Sequence, residues 1–139
     1  MVLSLTVRAY KDGAIRGASL SFLLTGIPKN TYWYLFSEWQ KGLPALTDQG
    51  ATAAYAITQQ SFFVQPVTAP GYSTDQVRTL LSPFTNELDR NNITYSLNVT
   101  SSPTFLDHYA TYLGPLPNGQ YQINQLFGGS LIPRSRNHQ

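Results

Sequence analysis

The sequence predicts an α+β fold: an antiparallel sheet with helices packed on one face, in the order strand, strand, helix, strand, strand, helix, strand, helix. Segments with the two-residue alternation of a half-buried strand occur in pairs joined by short turns, which favours antiparallel neighbours. Two longer stretches instead repeat apolar residues at the helical period. A length of 139 residues suits one domain, enough to bury about two-thirds of the surface an unfolded chain exposes.

The first strand spans 3–10, with Leu3, Leu5, Val7 and Ala9 on one face and Ser4, Thr6, Arg8 and Tyr10 on the other. After a turn at Lys11-Asp12-Gly13, residues 17–25 alternate again and point Ala18, Leu20, Phe22 and Leu24 inward. Residues 30–50 form a helix in which Tyr32, Phe36, Trp39 and Leu43 make the buried stripe, Asn30 or Thr31 supplies the cap, and Gly42 with Pro44 breaks or kinks the last turns before a stop at Gly50. Two strands follow, 51–59 and 61–69. In the first, Ala53, Tyr55, Ile57 and Gln59 share a face; in the second, Phe62, Val64, Pro66 and Thr68 do. Pro66 has no N–H to donate and places the second strand at an edge or ends it.

The organising element is the helix after Tyr72. Ser73 and Gln76 stand at capping-box spacing. Val77, Leu80, Leu81, Phe84 and Leu88 form one apolar stripe, and burial contributes roughly 1.5–3 kcal/mol for each, so the helix needs a sheet beneath it. Pro83 interrupts it without ending it and predicts a kink near Thr79. Residues 93–100 return as a strand with Tyr95, Leu97 and Val99 inward. A short helix then starts from Ser102-Pro103, burying Phe105, Leu106, Tyr109 and Leu113. The other sheet face, with Thr6, Tyr10, Leu23, Phe63 and Val67, is too apolar for plain solvent surface and implies a partner or ligand.

Composition excludes several classes. A net charge of +2 with scattered Lys and Arg gives no track for a phosphate backbone, which argues against nucleic acid as a partner. The absence of cysteine removes disulfides and thiolate metal sites, and two distant histidines do not make a metal cluster with seven acids. No signal peptide or membrane-spanning run is present, so no membrane partner is expected and localisation stays open, although Asn92-Ile93-Thr94 and Asn98-Val99-Thr100 are glycosylation sequons that have meaning in a secreted parent. Asp107 and His108 are adjacent on a helix and point about 100° apart, so they form no catalytic pair; His108 reads as solvated. The residues offer no catalytic or metal-binding constellation. Tyr55, Gln59, Phe63 and Gln65 are the candidates for lining a substrate pocket, because aromatic and amide groups orient ligands in largely apolar sites.

The stretch from Ala51 to Pro117, with the closing Gly128-Gly129-Ser130-Leu131-Ile132-Pro133-Arg134-Ser135, resembles the substrate-domain half of fungal FAD-linked oxidoreductases, the vanillyl-alcohol-oxidase-like and berberine-bridge-enzyme-like proteins. Residues 2–22 look like that domain's first hairpin. The resemblance implies a partial, incomplete substrate-binding domain over 1–114 and an irregular tail over 115–139, with 136–139 unlike the family. Ser130 departs from the family pattern, where an Arg precedes Leu-Ile-Pro-Arg-Ser. It further implies FAD in full-length relatives but no cofactor in this chain. Relatives would act on small molecules: alcohols, sugars, or alkaloid and other secondary-metabolite intermediates, ergot-type oxidative cyclisation included. The expectation is a truncated, inactive relative that a completing polypeptide could supplement. The alternatives are a stand-alone binding module for a small molecule or protein, or a non-redox isomerase or cyclase using the same sheet face.

Overall fold

The structure, a computed structural model, describes residues 12–114 together with Ser4 and Thr6. The expected first strand and the tail after Gly114 lie outside the described residues, as do the burial expected of Leu3, Leu5 and Val7 and the departure at Ser130. What is described is α+β: strands β1 (Ile15–Leu23), β2 (Thr52–Ile57), β3 (Ser61–Pro70) and β4 (Ser96–Ser102), with helices α1 (Lys29–Asp48), α2 (Thr74–Arg90) and α3 (Phe105–Leu113). The strands form one antiparallel sheet in the order β2-β3-β1-β4.

Helices α1 and α2 cover one face. Beneath them Ala18, Leu20 and Phe22 of β1 meet Phe62, Val64 and Val67 of β3, all at most 5% exposed. The helices contribute Leu35, Trp39 and Leu46 from α1 and Val77, Leu81, Phe84 and Leu88 from α2. Trp39 is the hub: its ring lies 5.1 Å from Phe84 and 5.7 Å from both Phe62 and Tyr55, edge-on in each case, the geometry that aromatic quadrupoles favour. Leu80, Tyr95, Leu97 and Val99 pack against this core half-buried.

Local chemistry explains the helix ends. Ser73 Oγ accepts from the Gln76 N–H at 3.2 Å while Gln76 Oε1 accepts from the Ser73 N–H at 2.8 Å, so the capping box closes as the spacing predicts. Pro83 removes the donor that would reach the Thr79 carbonyl, and the Ser82 hydroxyl donates to that carbonyl instead, at 2.8 Å, so α2 continues as one element. In α1 the expected cap at Asn30 or Thr31 is absent: the helix starts behind Pro28 with no side-chain cap and runs unbroken through Gly42 and Pro44. It stops at Gly50, which takes φ 81°, as the glycine predicts. The stripe of α1 is rotated from expectation. Leu35 is buried with Trp39, while Tyr32, Phe36 and Leu43 are only half-buried beside them.

Two expectations for β3 fail for one reason. Pro66 lies in an internal strand, not at an edge, and the register shifts there: Ala18 pairs Val67 but Leu20 pairs Val64. The same slip separates Ala53–Val67 from Tyr55–Val64 on the β2 side. An extra residue in β3 is a bulge, a place where a sheet tolerates a residue without N–H. Beyond it the alternation changes phase. Val67, expected on the other face, is therefore buried in the core, and Thr68, expected inward, faces away from it.

Candidate functional site

The second face of the sheet is where the candidate site lies. Residues alternate across a strand, so Gly17, Ser19 and Ser21 of β1 share this face with their partners Thr68 and Phe63 on β3 and Thr100, Asn98 and Ser96 on β4. Thr52 and Ala56 of β2 join it opposite Thr68 and Phe63. None of these residues is charged. Ser21, Thr52, Ser96 and Asn98 are exposed.

Helix α3 covers one end of this face, the exception to helices on one side only. Thr104, not Ser102, is its cap: Thr104 Oγ1 accepts from the Asp107 N–H at 3.1 Å and bonds the Asp107 carboxylate at 2.7 Å. Asp12 ties the start of α3 back to the entry of β1, accepting from the N–H groups of Phe105 at 3.1 Å and Gly13 at 3.0 Å. Phe105, Leu106 and Leu113, expected to be buried, are about half exposed or more. The buried member is His108, which the sequence reading leaves in solvent; it is 2% exposed. His108 Nε2 and Thr68 Oγ1 are hydrogen-bonded at 2.8 Å, and one turn on Tyr112 Oη and Thr100 Oγ1 are bonded at 2.8 Å. Burial pushes the His108 imidazole below its ordinary value.

Gly17 makes room for this contact. A Cβ there would stand 2.5 Å from Tyr112 Cε2 and 2.8 Å from both His108 Cε1 and Thr100 Oγ1. Sequence reasoning missed the group, but it left a signal: a glycine inside an alternating strand marks close approach of another segment, and His108 and Tyr112 are one turn apart on one helix face.

The four expected pocket residues do not converge. Tyr55 lies on the helix-covered face, half-buried against Trp39 and Phe62. Gln59 is in the turn between β2 and β3, on a surface recess of about 570 Å³ that also takes in Leu24, Ile27, Lys29 and Tyr32. Gln65 is exposed at the bulge. Phe63 alone is set on the second face by its pairing with Ser21 and Ala56. Of the sequons, Asn92 is exposed at the end of α2 with φ 54°, and Asn98 is exposed on β4 opposite Ser19. Among the described residues no group of acids and histidines could hold a metal ion, and no helix is long and apolar enough to cross a membrane.

This sheet and its helices superpose on a segment of a VAO-type flavoprotein, and the sequence agrees: the chain matches fungal FAD-linked oxidoreductases over nearly all of its length. Among them are FAD-linked oxidoreductase orf1 of Neocamarosporium betae, 39% identical over 97% of the chain and 23% of the relative, and FAD-linked oxidoreductase sthB of Phaeosphaeria nodorum, 41% identical over 86% of the chain and 38% of the relative. The crystal structure of the VAO-type flavoprotein MtVAO615 from Myceliophthora thermophila superposes with a TM-score of 0.74 at 32% identity, covering 81% of the chain and 20% of that protein. The chain thus spans about a quarter of the length of the first of these relatives. No family model matches it.

Proposed function

We propose that the chain forms the substrate-side wall of an FAD-linked oxidoreductase, with the second face of its sheet turned toward the substrate. One observation carries this: in a fold shared with a VAO-type flavoprotein, α1 and α2 cover one face, while among the described residues α3 alone lies on the other, whose remaining positions are uncharged and rich in hydroxyls. Such a wall places a neutral molecule through hydroxyl and amide contacts and one aromatic side chain, Phe63. The substrates are of the classes named above: alcohols, sugars, or alkaloid and other secondary-metabolite intermediates, oxidative cyclisations included.

The flavin, when bound, supplies the redox chemistry. The described residues do not fit it. Its pyrophosphate needs free backbone N–H groups at a glycine-rich strand-to-helix turn. Here the start of α2 is closed by Ser73 and Gln76, and that of α3 by Thr104 and Asp12. The start of α1 follows a single glycine and Pro28. That the described residues offer no such turn supports the reading that the flavin is held elsewhere in a complete enzyme and that this polypeptide alone is inactive.

Two arms of one experiment test the division. The purified chain, mixed with FAD and desalted, is expected to emerge colourless. A chimera of MtVAO615 carrying residues 12–114 in place of its matching segment is expected to keep its flavin, and Phe63→Ala in it to raise KM several-fold. A yellow one-to-one fraction from the chain alone, or a flavin-loaded chimera indifferent to Phe63→Ala, overturns the proposal.

A further inference from the structure

Helix α3 rests on the open face through few contacts, and their chemistry is unlike the rest of the fold. It buries no stripe of large apolar side chains: Phe105, Leu106 and Leu113 face outward. What it presses onto the sheet is an imidazole and a phenol, His108 to Thr68 on β3 and Tyr112 to Thr100 on β4, across the gap left by Gly17 on β1. The two rings lie 5.0 Å apart, and Phe105 flanks the imidazole at 6.2 Å.

The imidazole is half satisfied. Nε2 bonds Thr68, while Nδ1 is buried with no hydrogen-bond partner among the described residues. A neutral ring tolerates this, since it carries one N–H and the hydroxyl can meet Nε2 in either role. A protonated ring carries two N–H donors, and the one on Nδ1 would be a buried donor on a charged group without an acceptor, the costliest arrangement for a polar group.

No described carboxylate relieves it. From β1 the facing residues are Gly17 and Ser19, from β3 Thr68, from β4 Asn98 and Thr100, and from α3 itself Phe105 and Tyr112. The two acids near α3 are engaged at its start, Asp107 with Thr104 and Asp12 with the Phe105 N–H. Arg16, the neighbouring cation on β1, alternates to the opposite face.

We propose that α3 is a proton-operated latch on the second face: neutral His108 holds it closed over Gly17, Thr68 and Thr100, and protonation of His108 releases it. Release uncovers the hydroxyls of Thr68 and Thr100 and lengthens the open part of the face. This deepens the oxidoreductase reading and rests on it for its consequence, since the face uncovered is the proposed substrate wall. The latch itself is a property of this chain.

The sign follows from burial. The folded-state value of His108 lies below the ordinary 6.5, so docking is fully favourable above about pH 6.5 and weakens as pH falls below it. Between 6.5 and the folded-state value, the opening constant of α3 rises about tenfold per pH unit.

The test is amide hydrogen exchange of the full chain from pH 7.5 to 4.5, corrected for intrinsic rates, with NMR titration of its histidine Cε1–H resonances. Protection of α3 amides is expected to fall about tenfold per unit below pH 6.5 while α2 amides hold. The His108 resonance should titrate below the ordinary histidine range. His108→Gln, which keeps a neutral group within reach of Thr68, should leave α3 protection flat with pH. If that variant does not fold, the wild-type resonance and the α3 amides still decide. An imidazole titrating at 6.5, or α3 protection that does not change as it titrates, overturns the latch. None of these readings involves flavin, so a failed latch leaves the substrate-wall proposal standing, and a failed wall leaves the latch measurable.

Discussion

The two faces of this sheet are built from consecutive residues of the same strands and yet obey different rules. On the helix side β1 offers Ala18, Leu20 and Phe22, sealed under Trp39, Leu81 and Phe84. On the other side the same strand offers Gly17, Ser19 and Ser21, with Ser96, Asn98 and Thr100 beside them. The first face gains its stability from apolar area removed from water, which no single polar group controls. Among the described residues the second is covered by α3 alone, through two hydroxyl contacts over a glycine gap, so that covering can respond to one proton or one methyl group. A sheet that concentrates stability on one face leaves the other free to be shaped for contact.

Substitutions that treat the faces alike should give unlike results. The largest effect is expected in the core: Leu81→Ala, at a side chain 2% exposed, leaves a cavity and should cost about 2–5 kcal/mol by chemical denaturation. A loss under 1 kcal/mol would show that α2 does not anchor the helix layer. Next is Gly17→Val, which drives carbon atoms into Tyr112 and His108. Overpacking of this kind typically costs about 1–3 kcal/mol, and the expected signature is local, with α3 amides losing exchange protection before those of α2. Loss spread evenly over both helices would mean that the faces are not separable.

What the sequence made legible follows the same division. The capping box of α2, the core positions of β1 and the stop at Gly50 are local, set by residues within one turn or one strand, and the structure has them where the spacing puts them. The position of Val67 is not local in this sense. One extra residue at Pro66 changes the phase of everything after it, and a two-residue period read straight through the bulge assigns Val67 and Thr68 to the wrong faces. The short helix misleads further. Its apolar residues Phe105, Leu106 and Leu113 predict the buried side, whereas docking is decided by the space over Gly17, some ninety residues earlier in the chain. Of the four pocket candidates only Phe63 is set on the second face, since Tyr55 obeys the core period and Gln59 and Gln65 belong to a turn and a bulge.

The smallest effect sharpens the comparison most, because it should be close to nothing. Ser21 lies on β1 one residue before the core position Phe22, is exposed, and pairs with Phe63 and Ser96. Ser21→Val adds a β-branched side chain that suits a strand and meets no packed neighbour in an open face, so stability should change by no more than about 0.5 kcal/mol. The control is Ala18→Val on the same strand, where the site is 0% exposed under the helices. Extra methyl groups there have no room, and a loss of about 1–3 kcal/mol is expected. Urea unfolding of both variants reads the contrast directly. If Ser21→Val proves as costly as Ala18→Val, the second face is packed as tightly as the first and cannot serve as a wall for a ligand. If it is neutral in stability but alters KM when placed in the MtVAO615 chimera, the face is open in the protein and occupied in the reaction.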